Sequence, residues 1–254
     1  MRGLKFSATV AIGATFLAGA AFGQDDEAPA VDPDVVQAVK DMGATLRALP
    51  AFSIRGTLAW EEVLDSGEKT MIIEQVTAEA APPHGLRISR SSPDRERIFY
   101  FDGESATLWA PILRYYTQVP YNGSLSELVA EVASKYEFEV PLADLFLWGA
   151  DDDDFEAITS ARYLGRSRLG NRVCDQFALR QPDVDWQIWI EDTEEGLPCG
   201  YSIVDLTDDA RPTFHATVTV TPELEIADNR FTFKPPEDAI PIPFATAKAH
   251  KADK

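Results

Sequence analysis

Arg97-Ile98-Phe99-Tyr100-Phe101-Asp102-Gly103-Glu104-Ser105-Ala106-Thr107-Leu108-Trp109 is the stretch that decides the fold. Two runs rich in β-formers flank Asp102-Gly103, and the glycine supplies the positive φ that a tight turn matched to strand twist requires, so a hairpin is predicted here. Leu113 to Val119 then returns as a further strand. Period-two alternation puts Ile98 and Tyr100 on one face of the incoming strand and Phe99 and Phe101 on the other. Both faces are apolar, so the sheet must be covered on both sides at this point.

Upstream, the period-two pattern continues. Ile54, Leu58, Trp60 and Leu64 share one side of a strand, Ser66-Gly67 turns into Thr70 to Ala80, and the Pro82-Pro83 and Gly85 turn leads into Leu86 to Ser91. Connections of two to five residues cannot make the crossover that parallel strands need, so an antiparallel meander is predicted. A helix precedes it. Asp32 can cap it, Pro33 suits its first position, and Val35, Val36, Val39, Met42, Leu46 and Leu49 recur at three- and four-residue spacing before Pro50 ends it.

Downstream, Ser124 and Glu127 form a capping-box pattern ahead of the apolar stripe Leu125, Leu128, Val129, Val132 and Tyr136. A second short helix is predicted from Pro141 through Leu145, Phe146 and Trp148. Asp151 to Asp154 lack the spaced oxygens and the glycine of a calcium loop and read as a solvated turn. A second meander follows, with strands at Tyr163-Leu164-Gly165, Val173 to Arg180, Asp185 to Glu191, Tyr201 to Leu206, Thr213 to Thr221 and Arg230 to Phe233. In the third of these, Trp186 shares a side with Ile188 and Ile190 and is expected in the core.

At the start of the chain, Arg2 and Lys5 precede an apolar run from Phe6 to Phe22, with small residues before Gln24. This reads as a secretory signal peptide over residues 1–23, cleaved near Gly23. Residues 24–31 are an acidic Pro/Ala linker, 32–243 a single domain, and 244–254 has the composition of a disordered tail. An exported, periplasmic protein with no stable membrane insertion after cleavage is expected. Cys174 and Cys199 would then sit where a disulfide can form, although two buried free thiols are the alternative.

The full chain carries a net charge of −19, with 42 acidic against 23 basic residues. That sign argues against nucleic acid and anionic membrane surfaces as partners. No catalytic constellation is found. The three histidines, His84, His215 and His250, share no metal-ligand spacing. Gly103-Glu104-Ser105-Ala106 lacks the second glycine of a nucleophile elbow, and no phosphate loop or Cys-x-x-Cys pair occurs. Neither an enzyme, a metal site nor a cofactor is expected.

The order helix, meander, aromatic hairpin, two inserted helices and second meander is similar to that of the LolA/LppX superfamily of periplasmic lipoprotein carriers. Within it, several stretches resemble the predicted periplasmic proteins of domain-of-unknown-function family 2092: Tyr100-Phe101-Asp102-Gly103, Pro141-Leu142-Ala143-Asp144-Leu145, Tyr163-Leu164-Gly165, Cys174-Asp175-Gln176-Phe177-Ala178, Asp185-Trp186-Gln187-Ile188-Trp189-Ile190, Leu197-Pro198-Cys199 and Phe231-Thr232-Phe233-Lys234-Pro235-Pro236. The resemblance implies an α+β, mostly β fold. Its strongly curved antiparallel sheet would form a LolA-like half-barrel with helices covering the concave face, able to hold an acyl chain. It implies no known activity.

The expected function is accordingly that of a hydrophobe-binding protein holding a lipid, or the acyl chain of a lipoprotein, between sheet and helical lid. Phe99, Phe101, Leu108, Leu128, Val132, Leu145 and Phe146 are the candidate contacts. Some carriers of the superfamily bear basic residues near the mouth. The negative charge of this chain makes an acidic head group an awkward cargo, and a neutral, zwitterionic or lipoprotein cargo is expected instead. The alternative is an envelope interaction or stress-sensor module whose sheet binds a partner protein.

Overall fold

A computed structural model describes residues 31–125, 127, 128, 131, 142, 145, 153–223 and 225–243. The expected leader, most of the linker, the tail, and most of the two inserted helices lie outside these residues. The described chain begins with α1 (Pro33–Ala48), capped as its sequence predicts: the Asp32 carboxylate accepts from the backbone N–H of Asp34 at 3.0 Å. Val35, Val39, Met42 and Leu46 are its buried stripe.

Twelve strands follow. They are β1 (Ala51–Val63), β2 (Lys69–Ala81), β3 (Gly85–Ser92), β4 (Arg95–Phe101), β5 (Ser105–Ala110), β6 (Tyr115–Pro120), β7 (Ser160–Leu169), β8 (Arg172–Arg180), β9 (Val184–Glu191), β10 (Pro198–Asp205), β11 (Thr213–Glu223) and β12 (Ile240–Pro241). All belong to one open sheet in the order β12-β6-β5-β4-β3-β2-β1-β11-β10-β9-β8-β7. The two meanders, β1–β6 and β7–β11, thus meet along β1 and β11, which pair antiparallel from Ala51↔Glu223 to Trp60↔Phe214. Gly56 sits at this seam because a Cβ there would collide with the backbone carbonyl of Thr217.

A flat sheet of twelve strands would extend about 50 Å. Yet inward residues from β1 to β5 and from β8 to β11 belong to one contiguous buried core, together with the α1 stripe. The sheet therefore curves around that core. Ile54 and Leu58 of β1, Val76, Ala78 and Ala80 of β2, Leu86 and Ile88 of β3, Phe99 and Phe101 of β4, and Trp186, Ile188 and Tyr201 from the second meander define the inner face.

The central hairpin closes as predicted. Gly103 has φ +87°, and the Asp102 carboxylate accepts from the backbone N–H groups of Glu104 and Ser105. Both faces of β4 are covered, by different things. Phe99 and Phe101 face the core, whereas Ile98 and Tyr100 face a separate cluster with Trp109, Tyr116 and Phe233. Phe233 places its ring 5.5 Å from Tyr100, 5.6 Å from Trp109 and 5.2 Å from Tyr116.

That ring belongs to the C-terminal segment, where the expected strand Arg230 to Phe233 is corrected. Asp228–Arg230 is a 3₁₀ turn, closed by the N–H of Phe231 donating to the carbonyl of Asp228, and the chain then runs as a strap across the outer face. Arg230 donates three bonds to the Glu79 carboxylate of β2, Phe231 packs where Gly85 leaves room, and Arg114 pairs with Asp238. Side-chain anchoring has replaced ladder pairing. The strap ends in β12, which sequence reading missed because Ile240-Pro241-Ile242 is short and carries a proline that fits only an edge. It pairs parallel to β6 through Ile240 N–H to Arg114 O and Ile242 N–H to Tyr116 O.

Cys174 and Cys199 form a disulfide that links β8 to β10 across the end of β9, which resolves the alternatives left by the sequence. Trp186 is buried in the core as expected. No helix among the described residues is long and apolar enough to cross a membrane.

Candidate functional site

The inner face changes character at one end of β2, β3 and β4. Along β2 its positions run Ala80, Ala78, Val76 and then Glu74; along β3 they run Leu86, Ile88 and then Arg90; along β4 they run Phe101, Phe99 and then Arg97 and Arg95. Each strand switches from apolar to charged while its side chains keep pointing inward. Register brings the switches together, because Arg90 lies opposite both Val76 and Arg97. On β5, Leu108 lies opposite Phe99.

A cleft of about 280 Å³ opens there, lined by Glu74, Ile88, Arg90, Arg95, Arg97, Phe99 and Leu108. Its floor is apolar and its wall is cationic. The volume falls just under the range of roughly 300–1,000 Å³ common for small-molecule sites, enough for a head group and a stretch of chain.

The charged wall is ordered by one buried carboxylate. Glu74 is only 4% exposed, and Arg90 Nε donates to its Oε2 at 2.7 Å. The Arg90 guanidinium also lies 4.9 Å from the centroid of the Trp60 ring, a cation–π contact that fixes its plane. Arg97 donates to the backbone carbonyl of Glu96 at 2.9 Å. Among the described residues neither Arg95 nor Arg97 pairs with a carboxylate.

The sequence-predicted contacts divide into three groups. Phe99 and Leu108 line the cleft. Phe101, Leu128 and Leu145 are buried in the core, each 1% exposed or less, and have no face toward the cleft opening. Val132 and Phe146 lie outside the described residues. Around them, Leu125 and Leu142 are buried in the same core. The capping box forms: Glu127 N–H donates to Ser124 Oγ, and the Glu127 carboxylate accepts from Ser124 N–H at 2.7 Å and from Ser124 Oγ at 2.8 Å. The backbone and hydroxyl bonds from Ser124 hold that carboxyl below the usual range.

Sequence reading missed Glu74, Arg90, Arg95 and Arg97. A signal was present in the charge at inward positions of three consecutive strands. Only the strand register shows that these positions adjoin. Among the described residues no group of three or more His, Cys, Asp or Glu side chains could hold a metal ion.

The profile of the predicted periplasmic protein family DUF2092 matches residues 36–245. The chain belongs to that family. Its members are described as predicted periplasmic proteins, and the chain is placed in that compartment with them. No curated protein matches the sequence.

Among solved structures, the chain is similar to the Mycobacterium tuberculosis lipoprotein LppX at 12% identity and a TM-score of 0.45, over 74% of this chain and 94% of that one. It is similar to a LolA superfamily protein from Nitrosomonas europaea at 8% identity and a TM-score of 0.38, over 80% and 98%. It is also similar to MucB in a complex with MucA(peri), at 13% identity and a TM-score of 0.43, over 79% of this chain and 60% of MucB.

Proposed function

We propose that this protein is a non-catalytic periplasmic carrier that holds a lipid, or the acyl chain of a lipoprotein, against the inner face of its sheet. The single observation that carries this reading is the cleft at which the apolar inner face, at Ile88, Phe99 and the half-buried Leu108, meets a charged wall. Burying a chain there removes its methylenes from water at about 0.8 kcal/mol each, which is sufficient for reversible retention without covalent chemistry. Leu125, Leu128, Leu142 and Leu145 belong to the adjoining core.

Leu108 is half-buried on the cleft floor, so Leu108→Glu tests the placement with little cost to the fold. Titration with a fluorescent fatty acid should show the variant losing binding at least tenfold while its thermal midpoint stays within about 3 °C of the parent. Undiminished uptake would refute the placement.

A second reading, a protein-interaction module, is favoured by a different place. The pairing of β2 with β3 begins only at Gln75, so Lys69 to Glu74 has β1 on one side and, among the described residues, an open ladder on the other. Leu64, Met71 and Ile73 are exposed beside that edge, as a strand-addition site would need. Recovery of a stoichiometric protein partner that Ile73→Lys abolishes, with no lipid bound, would establish it instead.

A further inference from the structure

We propose that the cleft at Arg90, Arg95 and Arg97 selects an anionic head group, a carboxylate or phosphate carried on an acyl chain. This deepens the carrier reading and rests on it. It also reverses the expectation drawn from whole-chain charge, which averages over positions that the cleft does not contain.

The arrangement is costly. Acidic residues outnumber basic ones 42 to 23 in the chain, yet among the described residues lining the cleft three of the four charged ones are arginines. Arg90 and Arg97 are directly opposed on neighbouring strands, a pairing of like charges that disfavours the sheet. Glu74 offsets one of them through its bond to Arg90. Arg95 and Arg97 are left with no carboxylate among the described residues, on the same face of β4 and two positions apart.

Two arginines whose backbones stand about 7 Å apart along one face of a strand can together surround one carboxylate or phosphate. Their planar forks suit bidentate bonds to those groups, which an ammonium would not give. Polarity and position agree. The cationic wall lies at the outer end of the inner face and the apolar floor at Phe99 and Leu108 lies inward of it, so an amphiphile enters tail first and stops with its head on Arg95 and Arg97. The Arg90–Glu74 pair, braced by Trp60, supplies a fixed edge against which the head group registers.

The test is calorimetric titration of the purified full-length protein with dodecyl phosphate, dodecanoate, dodecanol and inorganic phosphate, repeated with Arg95→Gln/Arg97→Gln and Arg95→Lys/Arg97→Lys. The parent should bind the two anionic amphiphiles at least tenfold more tightly than dodecanol, from charge-assisted hydrogen bonds. The double glutamine variant should erase that preference, and the lysine variant should restore part of it. Raising ionic strength should weaken dodecyl phosphate binding by the parent but not dodecanol binding, a readout independent of any variant.

Equal affinity of the parent for dodecanol and dodecyl phosphate, or a preference that survives the glutamine substitutions, would overturn the head-group assignment and leave the carrier reading standing. Failure to bind any of the three amphiphiles would overturn both. Inorganic phosphate binding as tightly as dodecyl phosphate would replace the amphiphile with a simple anion.

Discussion

Glu74→Ala should lower stability and strengthen anion binding together. Glu74 is almost fully enclosed and holds Arg90, whose side chain keeps 28% exposure and faces Arg97 across the register. Removing the carboxylate leaves a largely enclosed guanidinium unpaired beside a like charge. Breaking a fully buried ion pair in this way costs roughly 3–5 kcal/mol, and the remaining access of Arg90 to water reduces that here to about 2–3 kcal/mol. For a domain of this size each kcal/mol shifts the thermal midpoint by roughly 2–4 °C, so a drop of about 4–12 °C is expected by differential scanning calorimetry. Arg90→Met in the same background should recover a large part of the loss, because it removes the orphaned charge and keeps contact with Trp60. Dodecyl phosphate affinity of Glu74→Ala should rise, since the cleft gains net positive charge. A midpoint shift under 1 °C, or a loss of anion affinity, would refute the assignment of Glu74 as the organising counter-ion.

Phe233→Ala should cost about 3–5 kcal/mol by chemical denaturation, and hydrogen exchange should show faster exchange at Ile240 and Ile242, because the ring pins the strap on Tyr100, Trp109 and Tyr116. The Cys174→Ser/Cys199→Ser pair should lose about 3.5 kcal/mol in the chain-entropy model for a separation of 25 residues, read from the shift in denaturation midpoint relative to the oxidised parent. Asp185 is held below its ordinary value by hydrogen bonds from Arg180, so its contribution is present above the unfolded carboxyl pKa and is lost as pH falls through the lowered folded value. Stability measured from pH 6 down to pH 2 should therefore fall less steeply in Asp185→Asn than in the parent, with the difference confined to the range below about pH 4.

Much of the fold was legible because local signals and global demands agreed. The Asp32 cap, the Asp102-Gly103 turn and the clean alternation of β11 each name an element without help from the rest of the chain. The apolar character of both faces of β4 announced two covers. The inner one follows from the α1 stripe, but the outer one is a strap that returns from Phe231 and Phe233, more than a hundred residues later. Arg230 to Phe233 has strand-like composition, and what keeps it out of the sheet is the bond to Glu79 and the ring pocket, neither of which is local.

The candidate site was less legible for the same reason. Phe99 and Leu108 carried a readable apolar signal. Glu74, Arg90, Arg95 and Arg97 lie on three strands, and in sequence each resembles an ordinary solvated residue. Whole-chain charge then pointed away from an anion, since a sum over the chain contains no information about where its minority sign gathers. Conversely, Phe101, Leu128 and Leu145 are apolar at the expected periodicity, and periodicity is the same for a filled core as for a lined cavity.

Native mass spectrometry with organic extraction of the protein, purified from the periplasm without detergent, tests the carrier claim most directly. A bound mass that extracts as an acyl-chain lipid or acylated peptide bearing a carboxylate or phosphate is expected. A clean unliganded mass, together with no uptake of a fluorescent fatty acid, would contradict it.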